Sequence, residues 1–552
     1  MSLKPHSICP VPPETVRVAR AAYPKGNIYL KLRDTLGSIY QDEDFADLYP
    51  KDGQPAEAPW RLALVSVMQF LENLSDRQAA NAVRGRLDWK YLLGLELDDP
   101  GFDHSVLTEF RQRLVAGNQE LRIFDLLLAR LQDGGYVKAR GRQRSDSTHV
   151  LAKIRRLNRI EGVGETFRAT LNALAVAAPE WLIDQMQESW VERYEHRVED
   201  YRLPDGKHAR EAYALVVGND GRRLLEAVYD PQAPVWLREL SAVQTLRRVW
   251  IQQFFWEEGE LRWRETSNRP MAGDGIDSPY DPEAHYAKKR ETSWVGYKVH
   301  LSETCDEETP HLITHVETTP APVSDLSALP SIHEALRRRD LLPSRHLVDM
   351  GYIDAEQLVS SQGDFGVDLF GPTREDYHWQ AHEGTGFAAS QFVVDWQGEC
   401  AICPAGRTSS SWSPVQDRRG KPVIKIKFSM QDCGPCPFRQ ACTQSQAASP
   451  RRTITIRPQE RYQALQAARQ REGSAEFKMQ YNQRAGIEGT LSQAIRAFGL
   501  RQARYRGHAR VQLQQALTAA ALNLSRIYAW LIGQTRITSR RPAFVRLAQS
   551  RA

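Results

Sequence analysis

The chain has 552 residues, 41% hydrophobic and 26% charged, with a net charge of +5. This balance fits a folded protein of roughly two to four domains and excludes a disordered or fibrous chain. Its densest apolar run, Ala516 to Ile532, is broken by Asn523, Ser525 and Arg526, which excludes a spanning helix of about 18 apolar residues.

The N-terminal MSLKPHSICPVPPE lacks the apolar centre of a signal peptide, so a cytoplasmic protein with no membrane partner is expected. From Arg451 onward there are 19 Lys and Arg against 4 Glu, whereas the preceding 450 residues carry a net −10. A basic end on an acidic chain points to a polyanion, most simply nucleic acid, and so to a nucleoid-associated protein; a solvated basic helical surface is the alternative.

Residues 1–57 are rich in proline, including Pro10, Pro12 and Pro13, and read as a flexible arm. Residues 58–133 read as a helical unit. Leu62, Val65, Met68 and Phe70 recur at helical spacing, Ser75-Asp76 offers a cap, and a later helix presents Val106, Leu107, Phe110 and Leu114 on one face. Its other face carries Arg111 and Arg113. Short helices ending in an arginine-bearing one suggest a helix-turn-helix-like DNA-binding domain, and a structural bundle is the alternative.

The polar stretch Gly141–Ser147 gives only a weak strand signal, because no apolar face alternates. Residues 156–269 read as a helical insertion, and Trp250, Phe254, Phe255 and Trp256 are assigned to one aromatic-rich helix. Strands follow at Tyr297–Leu301 and Leu312–Val316, then a helix over Leu326–Leu336. A short strand, His346–Val348, delivers Asp349. Asp354 caps the next helix, and Phe365–Phe370 forms a further strand. This order predicts an α/β layout with mixed pairing.

Five of the seven cysteines lie between Cys400 and Cys442. Cys400-x2-Cys403 and Cys433-x2-Cys436, with Cys442, have the spacing of a structural zinc site using four of the five. Free or redox-active thiols are the alternative. Such a zinc would staple residues 373–465, an insertion expected to lack a core. Cys9 and Cys305 read as ordinary thiols.

Tyr481, Arg484 and Glu488 fall at i, i+3 and i+7, on one face of a predicted helix whose apolar ridge is Ile487, Leu491, Ile495 and Phe498. Spacing alone favours a surface Glu488 paired with Arg484. However, Tyr481-x2-Arg484-x3-Glu488 resembles the Y-x2-R-x3-E signature of DDE insertion-sequence transposases of the ribonuclease-H-like superfamily. Arg144-x-Asp146-Ser147-Thr148-His149-Val150 is similar to the strand carrying their first catalytic aspartate. His346-Leu347-Val348-Asp349-Met350-Gly351-Tyr352 resembles their second, in its D-x-G-Y setting. Asp281-Pro282-Glu283-Ala284 and Gly296-Tyr297-Lys298-Val299-His300 resemble the segment before it. Cys403-Pro404 with Cys433, Cys436 and Cys442 also resembles the group's cysteine pattern. The signature usually ends in Lys at what is here Ile495, and the nearest base is Arg496.

The resemblance implies a multidomain α/β protein. Its ribonuclease-H-like mixed sheet would be assembled from residues 134–155, 270–372 and 466–535, and residues 536–552 would form a basic tail. It further implies catalysis by Asp146, Asp349 and Glu488 on two magnesium or manganese ions, with Asp146 bridging both. The chemistry would be 3′-end cleavage followed by strand transfer into target double-stranded DNA, carried out by a homodimer on DNA. Tyr481, Arg484, Arg496, Arg501, Arg504 and Arg506 are the expected phosphate contacts. A nuclease without strand transfer and an inactive zinc-containing DNA-binding regulator are the competing readings.

Overall fold

The computed structural model describes residues 2–5, 8, 10–268, 275–382, 386–445 and 450–534. The basic tail expected at 536–552 lies outside them, as does Cys9.

A mixed six-stranded sheet organises the chain: β1 (Arg142–Leu151), β2 (His285–Lys289), β3 (Thr292–Thr304), β4 (Ile313–Pro320), β5 (Arg345–Leu347) and β6 (Asp368–Phe370). The order is β2-β3-β1-β5-β6, and β4 also pairs with β3. β3 runs antiparallel to β1, β2 and β4, whereas β1, β5 and β6 are parallel. β1 is therefore central, flanked by an antiparallel strand on one side and a parallel one on the other.

The interior of β1 is polar, with Gln143, Arg144, Ser145 and Thr148 all buried. Each of the first three is satisfied by its neighbours. Gln143 donates to the Leu341 carbonyl (2.7 Å) and accepts from Thr314 Oγ1 (2.6 Å). Ser145 Oγ bonds Ser302 Oγ (2.5 Å) and His346 Nε2 (2.6 Å). Paired in this way, buried polar groups avoid the desolvation cost of unmade hydrogen bonds.

The expected arm over residues 1–57 is largely helical instead. Pro13–Ala22 and Ile28–Leu36 are α-helices, and Glu43–Leu48 is a 3-10 turn. Proline at the first helical position explains why a proline-rich stretch can do this, since its missing N–H is not needed there. Tyr29, Leu32, Leu36, Tyr40 and Phe45 join the main core. That core runs without a break into the sheet, because the long helix His508–Leu531 packs against both the Pro59–Leu71 helix and β4. The helices before β1 thus share their interior with the sheet.

Residues 159–263 contain five further helices and a hairpin around a separate core that includes Phe167, Trp190, Leu224 and Trp250. The predicted aromatic helix stops early here: the helix is Ser241–Gln253, and Phe254–Glu257 is a strand paired with Glu260–Trp263. The cysteine-bearing region also has a core of its own, of Phe392, Ile426, Phe428 and Ile454. It is built on a three-stranded antiparallel sheet, Ser411–Gln416, Pro422–Lys427 and Thr453–Ile456. It is not the coreless insertion that was expected. Among the described residues no helix is long and apolar enough to cross a membrane.

Candidate active site

The last parallel rung between β1 and β5 pairs Arg144 with Leu347. Asp146, still within β1, and Asp349, just past the end of β5, each lie two residues beyond it, so the two-residue repeat of extended chain sends both carboxylates to the same face. Ser147 N–H donates to Asp146 Oδ1 (2.8 Å), and Gly351 N–H donates to Asp349 Oδ1 (2.8 Å). In each carboxylate one oxygen is held by backbone and the other, Oδ2, faces Arg484.

The D-x-G-Y stretch has a physical reason at each position. Asp349 caps the 3-10 turn Met350–Tyr352. A Cβ on Gly351 would stand 2.9 Å from Asp349 Oδ1 and 3.1 Å from Asp325 Oδ2. The Tyr352 hydroxyl bonds His300 Nδ1 on β3 (2.8 Å), tying the turn to the sheet.

The third acid arrives on a separate element. Ala475–Tyr481 and Ala485–Phe498 are distinct helices joined by a 3-10 turn over Asn482–Arg484, not the single helix that the spacing predicted. Glu488 lies in the first turn of the second helix, which buries Ile487, Leu491 and Phe498. Tyr481 stacks on Phe477 with ring centroids 5.5 Å apart.

All three acids meet at one guanidinium. Arg484 Nη2 is 2.8 Å from Asp146 Oδ2 and 4.0 Å from Asp349 Oδ2, and Nη1 is 3.0 Å from Glu488 Oε1. The side chains of Asp146, Asp349 and Glu488 are 13%, 29% and 64% exposed, so the site opens from a buried floor to an accessible mouth. Burial pushes the Asp146 carboxyl up to about 6 despite the opposing pull of Arg484, and the neighbouring Asp349 adds to the rise.

Asp325 is a site neighbour that the sequence did not single out. It accepts from Ser147 Oγ (2.9 Å) and Lys298 Nζ (3.1 Å), and Lys289 Nζ lies at 3.7 Å. Lys298 and Lys289 outweigh its burial and hold its carboxyl below the ordinary range. In sequence it looks like any acid in a helix's first turn; Lys298 and His300 in the quoted β3 motif were the only hint.

Most of the arginines expected on DNA are occupied within the protein. Arg111 is buried, paired with Asp76 (2.5 Å) and set over the Tyr505 ring. Arg113 donates to the Leu48 carbonyl (3.3 Å) and covers Tyr49. Arg504 donates to the Leu74 carbonyl (3.1 Å) and sits 4.4 Å from the Phe70 ring centroid. Arg501 donates to Thr148 Oγ1 (2.8 Å), and Arg506 to the Lys153 carbonyl (3.3 Å). The helical face assigned to Arg111 and Arg113 packs inward because the neighbouring helices and the C-terminal segment cover it. Arg496 is exposed.

Among the described residues, no group of three or more His, Cys, Asp or Glu side chains forms a metal-ion site. At the carboxylates the convergent position is taken by the Arg484 guanidinium, a cation where a cation would bind; the oxygen donors and their net negative charge suit a hard divalent ion. Cys403, Cys433, Cys436 and Cys442 line one small cavity together with Arg407 and Arg452. Cys400 is not among them; it opens a strand that pairs with Val393–Asp395. Arg407 N–H donates to Cys403 Sγ (3.3 Å), and burial pushes the Cys442 thiol up to about 11. Four cysteines on one cavity suit zinc in donor type, although their sulfurs are not gathered into a ligand set.

Residues 402–528 match the family model of the transposase DDE domain, and residues 17–113 match that of a second transposase domain (DUF772). Two parts of the chain are thus similar to transposase domains, which is consistent with a DDE insertion-sequence transposase. The first match includes Tyr481, Arg484, Glu488 and four of the clustered cysteines. The second includes the helices where a loose arm was expected. No match is found among curated proteins.

Proposed function

We propose that the chain is a DNA transposase that uses Asp146, Asp349 and Glu488 to cleave the 3′ ends of an insertion sequence and transfer them to target DNA. The observation that carries this reading is that three carboxylates, distant in sequence, face one guanidinium: Asp146 from within β1, Asp349 from just past β5, and Glu488 from the helix Ala485–Phe498. The strand order β4-β3-β1-β5-β6, antiparallel on one side of β1 and parallel on the other, supports a ribonuclease-H-like sheet.

Divalent ions held by Asp146, Asp349 and Glu488 would supply charge neutralisation on the phosphoryl oxygens and activation of the attacking oxygen. The protein contributes preorganisation. Ser147 and Gly351 N–H groups fix one oxygen of each aspartate, leaving the other aimed at the centre. Glu488, most open of the three, faces the side from which DNA must approach. The same acids serve water attack and attack by the freed 3′-OH, so no covalent protein intermediate is required. Two element ends must be held together, so a homodimer on DNA is part of the proposal.

We also propose structural zinc at Cys403, Cys433, Cys436 and Cys442. Their shared cavity supports this, and so does the Arg407 amide on Cys403 Sγ, an outer-shell contact of the kind that steadies thiolate ligands.

The test is strand joining between labelled duplexes from the DNA flanking the coding region and a supercoiled plasmid, with magnesium. Joined product is the expected result. Cleavage without joining would identify a nuclease, and binding alone a regulator.

A further inference from the structure

The centre of the carboxylate cluster already holds a positive charge, and it belongs to the protein. Arg484 is about nine-tenths buried, hydrogen-bonds Asp146 and Glu488, and lies 4.0 Å from Asp349. A guanidinium carries five N–H donors in a fixed fork. In Arg484 the Nε is buried and has no hydrogen-bond partner. It sits on a one-turn 3-10 segment between two helices rather than inside a helix, and its side chain hydrogen-bonds Asp146 and Glu488. The arrangement is one of charge compensation with an incomplete set of hydrogen bonds.

Two cations cannot share this position. Asp146 Oδ2 and Asp349 Oδ2, the oxygens not fixed by backbone amides, both face Arg484. Any ion taking those oxygens meets the guanidinium. Arg484 can withdraw only where another anion receives it, because a buried arginine stripped of its counter-charge is costly. Glu488, at the exposed side, marks the direction of exit, and the anion arriving from that side in a transposase is a DNA phosphate, which a guanidinium binds bidentately.

Resting on the carboxylate reading above, we infer that Arg484 is the internal counter-cation of the three acids and passes from them to a DNA phosphate when DNA binds. DNA and divalent ion are then loaded with positive coupling, each raising the affinity for the other by the same factor. The consequence is an enzyme that is poorly metallated, and so inert, until it holds DNA. Arg484 is a positioning residue in this scheme.

The experiment is a manganese titration of the full chain, followed by loss of the free-ion paramagnetic resonance signal, with and without a duplex from the flanking DNA. Manganese is expected to bind the wild type about tenfold more tightly with DNA present, within the ordinary range of coupling between sites. Arg484→Gln should bind manganese about tenfold more tightly than wild type without DNA and lose most of the coupling. Arg484→Lys, which keeps the charge, should stay near wild type without DNA. Equal manganese affinity of the wild type with and without DNA overturns the inference and needs no variant. So does an Arg484→Gln protein whose coupling is unchanged. Either result leaves the carboxylate reading intact, provided Asp146→Asn abolishes binding. If wild type takes up no manganese under either condition, or if Asp146→Asn binds it undiminished, both fall.

Discussion

Thr490 Oγ1, two residues beyond Glu488 on the same helix, donates to Glu303 Oε2 at 2.6 Å. Glu303 is fully buried on β3 and also pairs with Arg144 of β1 (2.6 Å) and Arg526 of the long C-terminal helix (2.6 Å). Arg144 in turn donates to the Gln483 carbonyl, beside Arg484. The helix bearing Glu488 is thus fixed to the strand bearing Asp146 by a buried ionic cluster, which adds direction to the apolar contact of Ile487 and Leu491. The two arginines outweigh burial and hold the Glu303 carboxyl below its usual range. Replacing Glu303 by Ala leaves two guanidinium groups without their carboxylate, and a loss of about 3–5 kcal/mol is expected, read from urea unfolding.

Two glycines in this helix should respond in opposite ways. A Cβ on Gly486 would fall 2.0 Å from the Arg144 guanidinium, whereas one on Gly489 meets nothing within 4 Å. Gly486→Ala should displace Arg144 and cost about 1–3 kcal/mol, the usual toll of overpacking. Gly489→Ala should stabilise by about 0.5–1 kcal/mol through helix propensity alone. Thermal melts of the two variants side by side check this, and equal shifts would contradict the packing described for Arg144.

Acid–base linkage at Asp146 gives a pH dependence of known sign. Burial pushes its folded-state carboxyl up to about 6, above the ordinary carboxylate range. The folded protein therefore binds the proton more tightly than the unfolded chain does. The associated stability is fully present below pH about 4 and is lost as pH rises through about 6. In chelator, the stability of Asp146→Asn relative to wild type should rise across that window and level off above pH 7. A flat difference from pH 4 to 7 would mean that Asp146 is not buried as described.

What the sequence revealed and what it hid follow from where the chemistry sits. Alternation at Tyr297, Val299 and Leu301 marked β3 because one face of that strand is apolar and buried. β1 carries the first acid yet has no such alternation: its interior is Gln143, Arg144 and Ser145, and only their partners on other elements make that burial tolerable. Asp349 stood out because the turn after it needs Gly351. Asp325 did not, since a first-turn acid on a helix is commonplace and its proximity to Asp349 is a matter of tertiary packing. The same reason misplaced Arg111 and Arg504. Helical spacing put Arg111 on a polar face, and no local signal announced that Asp76 and Tyr505 would cover it.

The cysteines divide four to one. If Cys403, Cys433, Cys436 and Cys442 hold zinc, serine at any of them should lower zinc content from about one per chain to near none. Cys400→Ser should leave it unchanged, because Cys400 does not line the shared cavity. Metal analysis of the purified variants decides the matter. Zinc loss in Cys400→Ser would put the ligand set elsewhere.

DNA affinity should separate two arginines that look alike in sequence. Arg496 is exposed on the helix that bears Glu488, so it is available to a phosphate approaching the mouth of the site. Its replacement by Ala should weaken binding similarly for all DNA sequences and reduce the salt dependence of affinity by about one phosphate contact. Arg504 is committed to the Leu74 carbonyl and the Phe70 ring, where it joins the C-terminal segment to the N-terminal helices. Arg504→Ala should cost about 1–2 kcal/mol of stability through those lost contacts while leaving the salt dependence as it was. Binding isotherms from low to high salt, paired with unfolding curves, distinguish the two roles. A salt slope reduced in Arg504→Ala but not in Arg496→Ala would reverse the assignment and require the N-terminal helices to part from the C-terminal segment when DNA binds.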